Sequence, residues 1–197
     1  MVASTPPPRT VDELRTLLSG GARPKYLFFW GHQPGRVGAT GSGCLSQWWP
    51  SSPFVVDDVR YATAEHFMMA GKARLFGDTT IAEQILRAPT PGAAKALGQR
   101  VRGFDQARWD EYRFDLVVAG NVAKFGQHPD LRDYLLGSGD RILVEASPID
   151  RIWGIGLAAD DPLAADPARW RGLNLLGFAL MWARHQLADT TAPTRPS

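Results

Sequence analysis

Five helix-start signals crowd into residues 63–129, and they constrain the fold more than any other feature of the chain. Thr63 stands as a cap ahead of a helix through Ala73. Thr80-Ile-Ala-Glu83 fits a capping box for a helix running to Arg87, and Thr90-Pro91 supplies a cap and first-turn proline for one through Leu97. Asp105 opens a long helix reaching about Phe125, and Pro129 a short one ending at Gly137. Val11–Leu18 and the periodic segment Gly172–Leu187 add a helix at either end. Only Tyr26–Trp30 and Arg141–Ala146 read as strands. The expectation is an α+β, mainly α-helical domain, compact and single over residues 21–188, with few short strands. Residues 1–20 are expected to be a flexible N-terminal extension and 189–197 a disordered tail rich in Pro, Thr and Ser. Gln33–Gly43, with four glycines and no periodicity, reads as a flexible loop.

Charge and cysteine content narrow the function classes. The formal charge of the 197-residue chain is +2 and its arginines are scattered, which gives no case for a DNA-binding arm or a membrane-surface helix. Cys44 is the sole cysteine, so no intrachain disulfide or thiolate metal cluster can form. No apolar run approaches ~18 residues, and Pro6-Pro7-Pro8 stands where a signal peptide needs an apolar core. A cytoplasmic protein without a membrane partner is the expectation.

Three segments hold the side chains that chemistry needs. Glu65 and Lys72 are seven residues apart, nearly two turns at roughly 3.6 residues per turn, so they share a helical face with Met68 and Met69. Such a pair is either a buried ion pair or the wall of a polar pocket. Trp109, Arg113, Gly120 and Lys124 line one side of the long helix, as a solvated basic face or as a stacking platform with cations. Residues 145–156 gather Glu145, Asp150, Arg151, Trp153, Gly154 and Gly156 in one aperiodic loop, where glycine permits close backbone approach to a ligand. Trp170–Gly177 then enters the last helix, whose N-terminus would offer amides to an anion. Asn174 there either reads a ribose hydroxyl or caps a neighbouring segment. The four histidines lack metal-ligand spacing, so neither a metal nor a cofactor is expected, and the lone Cys44 has no evident His partner.

In order, the chain reads Phe29-Trp-Gly-His32, Leu45-Ser-Gln-Trp-Trp-Pro50, Tyr61-Ala-Thr-Ala-Glu-His-Phe-Met-Met-Ala70, Leu75-Phe-Gly-Asp78, Ala94-Lys-Ala-Leu-Gly98 and Val101-Arg-Gly-Phe-Asp105. Lys124-Phe125, Leu143-Val-Glu-Ala-Ser-Pro148, Asp150-Arg-Ile-Trp-Gly-Ile-Gly156 and Trp170-Arg-Gly-Leu-Asn-Leu-Leu-Gly177 follow. This ordered set resembles the NADAR superfamily, in its YbiA-like branch. It departs from the family pattern at Gln47, where many relatives have Asn, at Gly71, and around Gln99 and Arg100.

The resemblance implies a mainly helical fold and an N-glycosidase that cleaves the ribose C1′–N bond of phosphoribosylamino-pyrimidines, the early riboflavin-biosynthesis intermediates. It also leaves open removal of ADP-ribose from modified nucleic-acid bases, or a non-catalytic ADP-ribose or NAD-binding module. Nucleic acid would then be a partner only as an ADP-ribosylated substrate. By the family pattern Glu65, Trp109 and Asp150 fall on active-site positions. Glu65 is expected as the principal acid/base carboxylate and Asp150 as the second. Trp109 and Trp153 would stack on the heterocycle, and Lys72, Lys124 and Arg151 would meet phosphate. Gly154 and Asn174 complete the expected substrate-binding set.

Overall fold

The computed structural model describes residues 6–32 and 40–190. The expected glycine-rich loop, over residues 33–39, and the outer ends of both expected tails lie outside the described residues. The order among the described residues is α1 (Val11–Ser19), β1 (Tyr26–Phe29), a 3₁₀ turn (Ser42–Leu45), β2 (Phe54–Val56), β3 (Val59–Tyr61) and α2 (Ala64–Leu75). Then come α3 (Thr79–Leu86), α4 (Pro91–Gly98), α5 (Gln106–Gln127), α6 (Pro129–Gly137), β4 (Ile142–Glu145) and α7 (Leu175–Asp189). The architecture is α+β and mainly helical. The chain divides into two compact units, one gathering the residues up to Trp30 with those from Asp133 onward, the other running Gly31–Arg132.

The middle unit is built around α2. Thr63, in extended backbone, accepts the His66 amide and stops the helix at its N-terminus. Nine of the twelve residues of α2 are buried, so it has no solvent face to set against an apolar one. The helices α3, α4 and α5 pack on it. Close approach depends on glycine. A Cβ on Gly120 would lie 2.6 Å from the Phe67 ring, and one on Gly71 would lie 2.7 Å from Leu116. Beside these helices β2 and β3 form an antiparallel hairpin closed by Val56 and Val59. Its two turn residues, Asp57 and Asp58, both take positive φ (49° and 61°), the geometry a two-residue hairpin needs. This hairpin is absent from the sequence reading, because Asp-Asp carries no glycine to announce such a turn.

The cap of α3 also differs from expectation. Asp78, not Thr80, occupies the cap position, and its carboxylate accepts the Ile81 amide at 3.2 Å. Asp78 also receives the Arg102 amide and a two-pronged guanidinium contact at 3.0 and 3.1 Å, which ties α3 to the chain after α4. Those Arg102 hydrogen bonds hold the Asp78 carboxyl well below the usual carboxylate range.

In the other unit β1 and β4 pair in parallel, with Leu27 opposite Leu143 and Phe28 opposite Val144, and α7 lies against β4. The stretch expected to be a flexible extension is, from Pro6 on, part of this unit. Thr10 caps α1, Leu14 is fully buried, and Arg15 donates to the Pro167 carbonyl at 2.9 and 3.1 Å. The last helix begins at Leu175 rather than Gly172. Asn174 ahead of it sits in the left-handed region (φ 52°) and breaks the helical path.

Candidate functional site

Glu65 enters its surroundings from the first turn of α2. Its main-chain amide donates to the Gln47 carbonyl at 3.0 Å, so the segment after the 3₁₀ turn is stitched to the helix at this residue. The residue is only 3% exposed. Lys72, two turns further on, is half-buried, and burial lowers its pKa. Its ammonium donates to the Gly98 carbonyl at the C-terminal end of α4, at 2.9 Å, and lies 4.2 Å from the Phe104 ring centre and 5.8 Å from that of Trp109. The structure thus brings Lys72 and Trp109 together.

The α5 stripe is not a solvated basic face. Trp109 is 7% exposed and Lys124 1%. Lys124 donates to the carbonyls of Cys44 and Ser46 at 2.6 and 2.9 Å, clamping the 3₁₀ turn against the helix. Burial pulls the Lys124 ammonium down to about 7 and pushes the Cys44 thiol up to about 11. Arg113, on the same stripe, pairs with Asp110 at 2.7 Å. His66 is held between the Thr63 hydroxyl and the Ala88 carbonyl, and burial lowers its pKa.

In the other unit, the 145–156 loop is a main-chain construction. The Asp150 carboxylate accepts the amides of Ile152 and Trp153, each at 2.8 Å, and the Asp150 amide donates to Ser147 Oγ. A ladder then joins the loop to the approach to α7. The amides of Leu173, Asn174, Leu175 and Leu176 donate to the carbonyls of Arg151, Gly154, Ile152 and Trp153. The helix N-terminus expected to face an anion therefore spends these amides on the loop. Gly154 serves the same packing, since a Cβ there would lie 2.8 Å from the Glu145 carbonyl. Asn174 is fully buried; its Oδ1 accepts the Glu145 amide and its Nδ2 donates to the Leu143 carbonyl, so it caps the end of β4. Trp153 is half-buried and Arg151 exposed.

A cavity of about 460 Å³ in this unit is lined by apolar side chains such as Leu17 and Met181, with Arg184 and His185; none of the expected site residues lines it. Among the described residues no group of three or more His, Cys, Asp or Glu is placed to hold a metal ion, and no helix is long and apolar enough to cross a membrane. Gln47, one of the departures from the family pattern, lies in the segment stitched to Glu65. Gln47 is 6% exposed, and among the described residues its Oε1 has no hydrogen-bond partner.

Comparison with known proteins gives a consistent result. The NADAR domain family matches residues 28–188. The chain is 41% identical over 166 residues to an N-glycosidase of Acanthamoeba polyphaga mimivirus, covering 82% of this chain and 96% of that protein. It is 34% identical to an N-glycosidase of Nostoc punctiforme (77% and 90% covered) and 32% identical to the N-glycosidase YbiA of Escherichia coli (69% and 76%). The NMR structure of Escherichia coli YbiA superposes with a TM-score of 0.67 at 26% identity, covering 89% of this chain and 92% of that one.

Proposed function

Because this chain belongs to the NADAR domain family, we propose that it is an N-glycosidase that hydrolyses the ribose C1′–N bond of phosphoribosylamino-pyrimidines. The activity is supported by relatives of 32–41% identity that are N-glycosidases. The observation that carries the mechanism is Glu65, a carboxylate kept at 3% exposure on a helix buried nearly all round. A glutamate is rarely buried this deeply, which marks Glu65 as the carboxylate to test.

Breaking the C1′–N bond develops oxocarbenium character at C1′ and negative charge on the leaving nitrogen. In this reading Glu65 stabilises the first and takes a proton from the attacking water. Trp109 stacks on the heterocycle, and Lys72, whose ammonium is already drawn towards that ring, meets phosphate. Lys124 spends two of its hydrogens on main-chain carbonyls, so among the cations of its own unit the phosphate role passes to Lys72, with Arg151 the candidate in the other unit. Asp150 is the second carboxylate of the proposal. Its loop is shaped by the amides it accepts, with Trp153 carried on it and Gly154 and Asn174 fixing its course.

The test is a parallel assay of the purified protein. Release of ribose 5-phosphate from a phosphoribosylamino-pyrimidine, with no base released from ADP-ribosylated nucleic acid, is the expected result. Turnover of the second substrate alone would overturn the substrate assignment while keeping the N-glycosidase. Tight ADP-ribose binding by calorimetry, with neither substrate cleaved, would remove the enzyme.

A further inference from the structure

We infer that Gln47 is a further residue of the reaction site, whose side-chain amide orients the water that attacks C1′. The inference rests on the reading of Glu65 as the carboxylate that takes the water's proton.

The polar groups around Gln47 are satisfied one by one. Lys124 takes the Cys44 and Ser46 carbonyls, the Trp48 amide donates to Ser46 Oγ, and Trp49 Nε1 donates to Ser52 Oγ. The main-chain carbonyl of Gln47 itself accepts from Glu65. Of these groups, its side-chain oxygen alone is buried without a partner among the described residues. An unpaired buried acceptor costs stability, and a methionine or leucine of similar volume would avoid that cost. The Gln47 oxygen gains no hydrogen bond from the described residues, and in this proposal its partner arrives with the reaction.

Two further facts fix which partner. Gln47 is joined through its own carbonyl to the amide of Glu65, so the two side chains leave adjoining backbone. The clamp from Lys124 on residues 44 and 46 gives that backbone a fixed position from which a small ligand can be oriented. Water is the one reactant that hydrolysis of any N-glycoside must bring to the carboxylate. In the step, the water oxygen bonds to C1′ while the C1′–N electron pair leaves with nitrogen. The water's proton passes through Glu65 to that nitrogen, so no further reactant is consumed. Gln47 accepts the hydrogen that Glu65 does not.

The test compares Gln47→Met, near in shape but without the amide, with Gln47→Asn, which keeps it, and with Glu65→Gln as reference, all on a phosphoribosylamino-pyrimidine. Gln47→Met should lose kcat by roughly 10²-fold, the scale of a misplaced reactant, with KM unchanged and with a raised melting temperature. Gln47→Asn should recover part of kcat. Wild-type kcat in Gln47→Met overturns the inference, as does a rise in KM alone, which would make Gln47 a substrate grip. Loss of kcat together with a lowered melting temperature also overturns it, since the residue would then be structural. Full activity in Glu65→Gln fails the underlying reading instead, so the two failures are distinguishable.

Discussion

At the scale of single residues, the buried polar side chains divide by what satisfies them. Asn174 shows the structural kind. Its positive φ alone would be served by glycine, yet its amide also pairs with the Glu145 N–H and the Leu143 carbonyl. Asn174→Gly therefore keeps the backbone geometry and loses both bonds, and should cost about 1–3 kcal/mol in urea unfolding. A variant as stable as the parent would show that only φ matters there. Gln47 shows the other kind, and nothing in the sequence distinguishes the two. Gln47 stands between Ser46 and Trp48 and Asn174 between Leu173 and Leu175, and only the folded neighbourhood reveals which one is paired. Glu65 was legible because a carboxylate among Ala, Phe and Met violates the pattern around it. The orphaned Gln47 was not, because a missing partner leaves no trace in a string of residues.

At the scale of elements, the helices were readable wherever a side chain terminates them locally. Thr63, Thr90 and Asp105 each accept an amide three residues on, as expected, and Thr10 does the same for α1, where no cap was expected. The errors arise where tertiary contacts decide. Asp78 displaces Thr80 because Arg102 reaches back to it, and α7 starts late because Asn174 turns towards β4. Glycine gives the sharpest test at this scale. Gly120 lies inside α5, where alanine ordinarily stabilises by up to ~1 kcal/mol. Here a Cβ would meet the flat face or edge of Phe67 at 2.6 Å, a ring with little room to yield. Gly120→Ala should therefore destabilise by about 1–3 kcal/mol, as overpacking does. Stabilisation by this substitution would refute the packing of α2 on α5.

At the scale of the whole molecule, the buried titrating groups set how stability follows pH. Lys124 is lowered to about 7 in the fold, so above that value the unfolded chain holds the extra proton and stability rises with pH. Cys44 acts oppositely. Raised to about 11 from 9.0, it keeps its proton in the fold while the unfolded thiol loses it, and stability falls with pH across that interval. Asp78, held low by Arg102, contributes above its unfolded value of 3.8 and loses that contribution as pH falls through and below it. Urea midpoints should accordingly climb between pH 7 and 9, flatten above, and drop in acid. Lys124→Met should abolish the climb, and a wild-type midpoint that is flat from pH 7 to 9 would contradict the burial of that ammonium.

The same scale joins fold to function. The α+β, mainly helical architecture and the NADAR family were both legible from ordered motifs, whereas the division into two compact units was not, since no linker composition marks it. What the molecule is proposed to do rests on one carboxylate. Glu65→Gln preserves shape and hydrogen-bonding size while removing the charge, so the fold should persist. Release of ribose 5-phosphate from a phosphoribosylamino-pyrimidine by that variant should fall by ~10²–10⁴-fold, the range general acid–base assistance contributes; release at the wild-type rate would contradict the assignment.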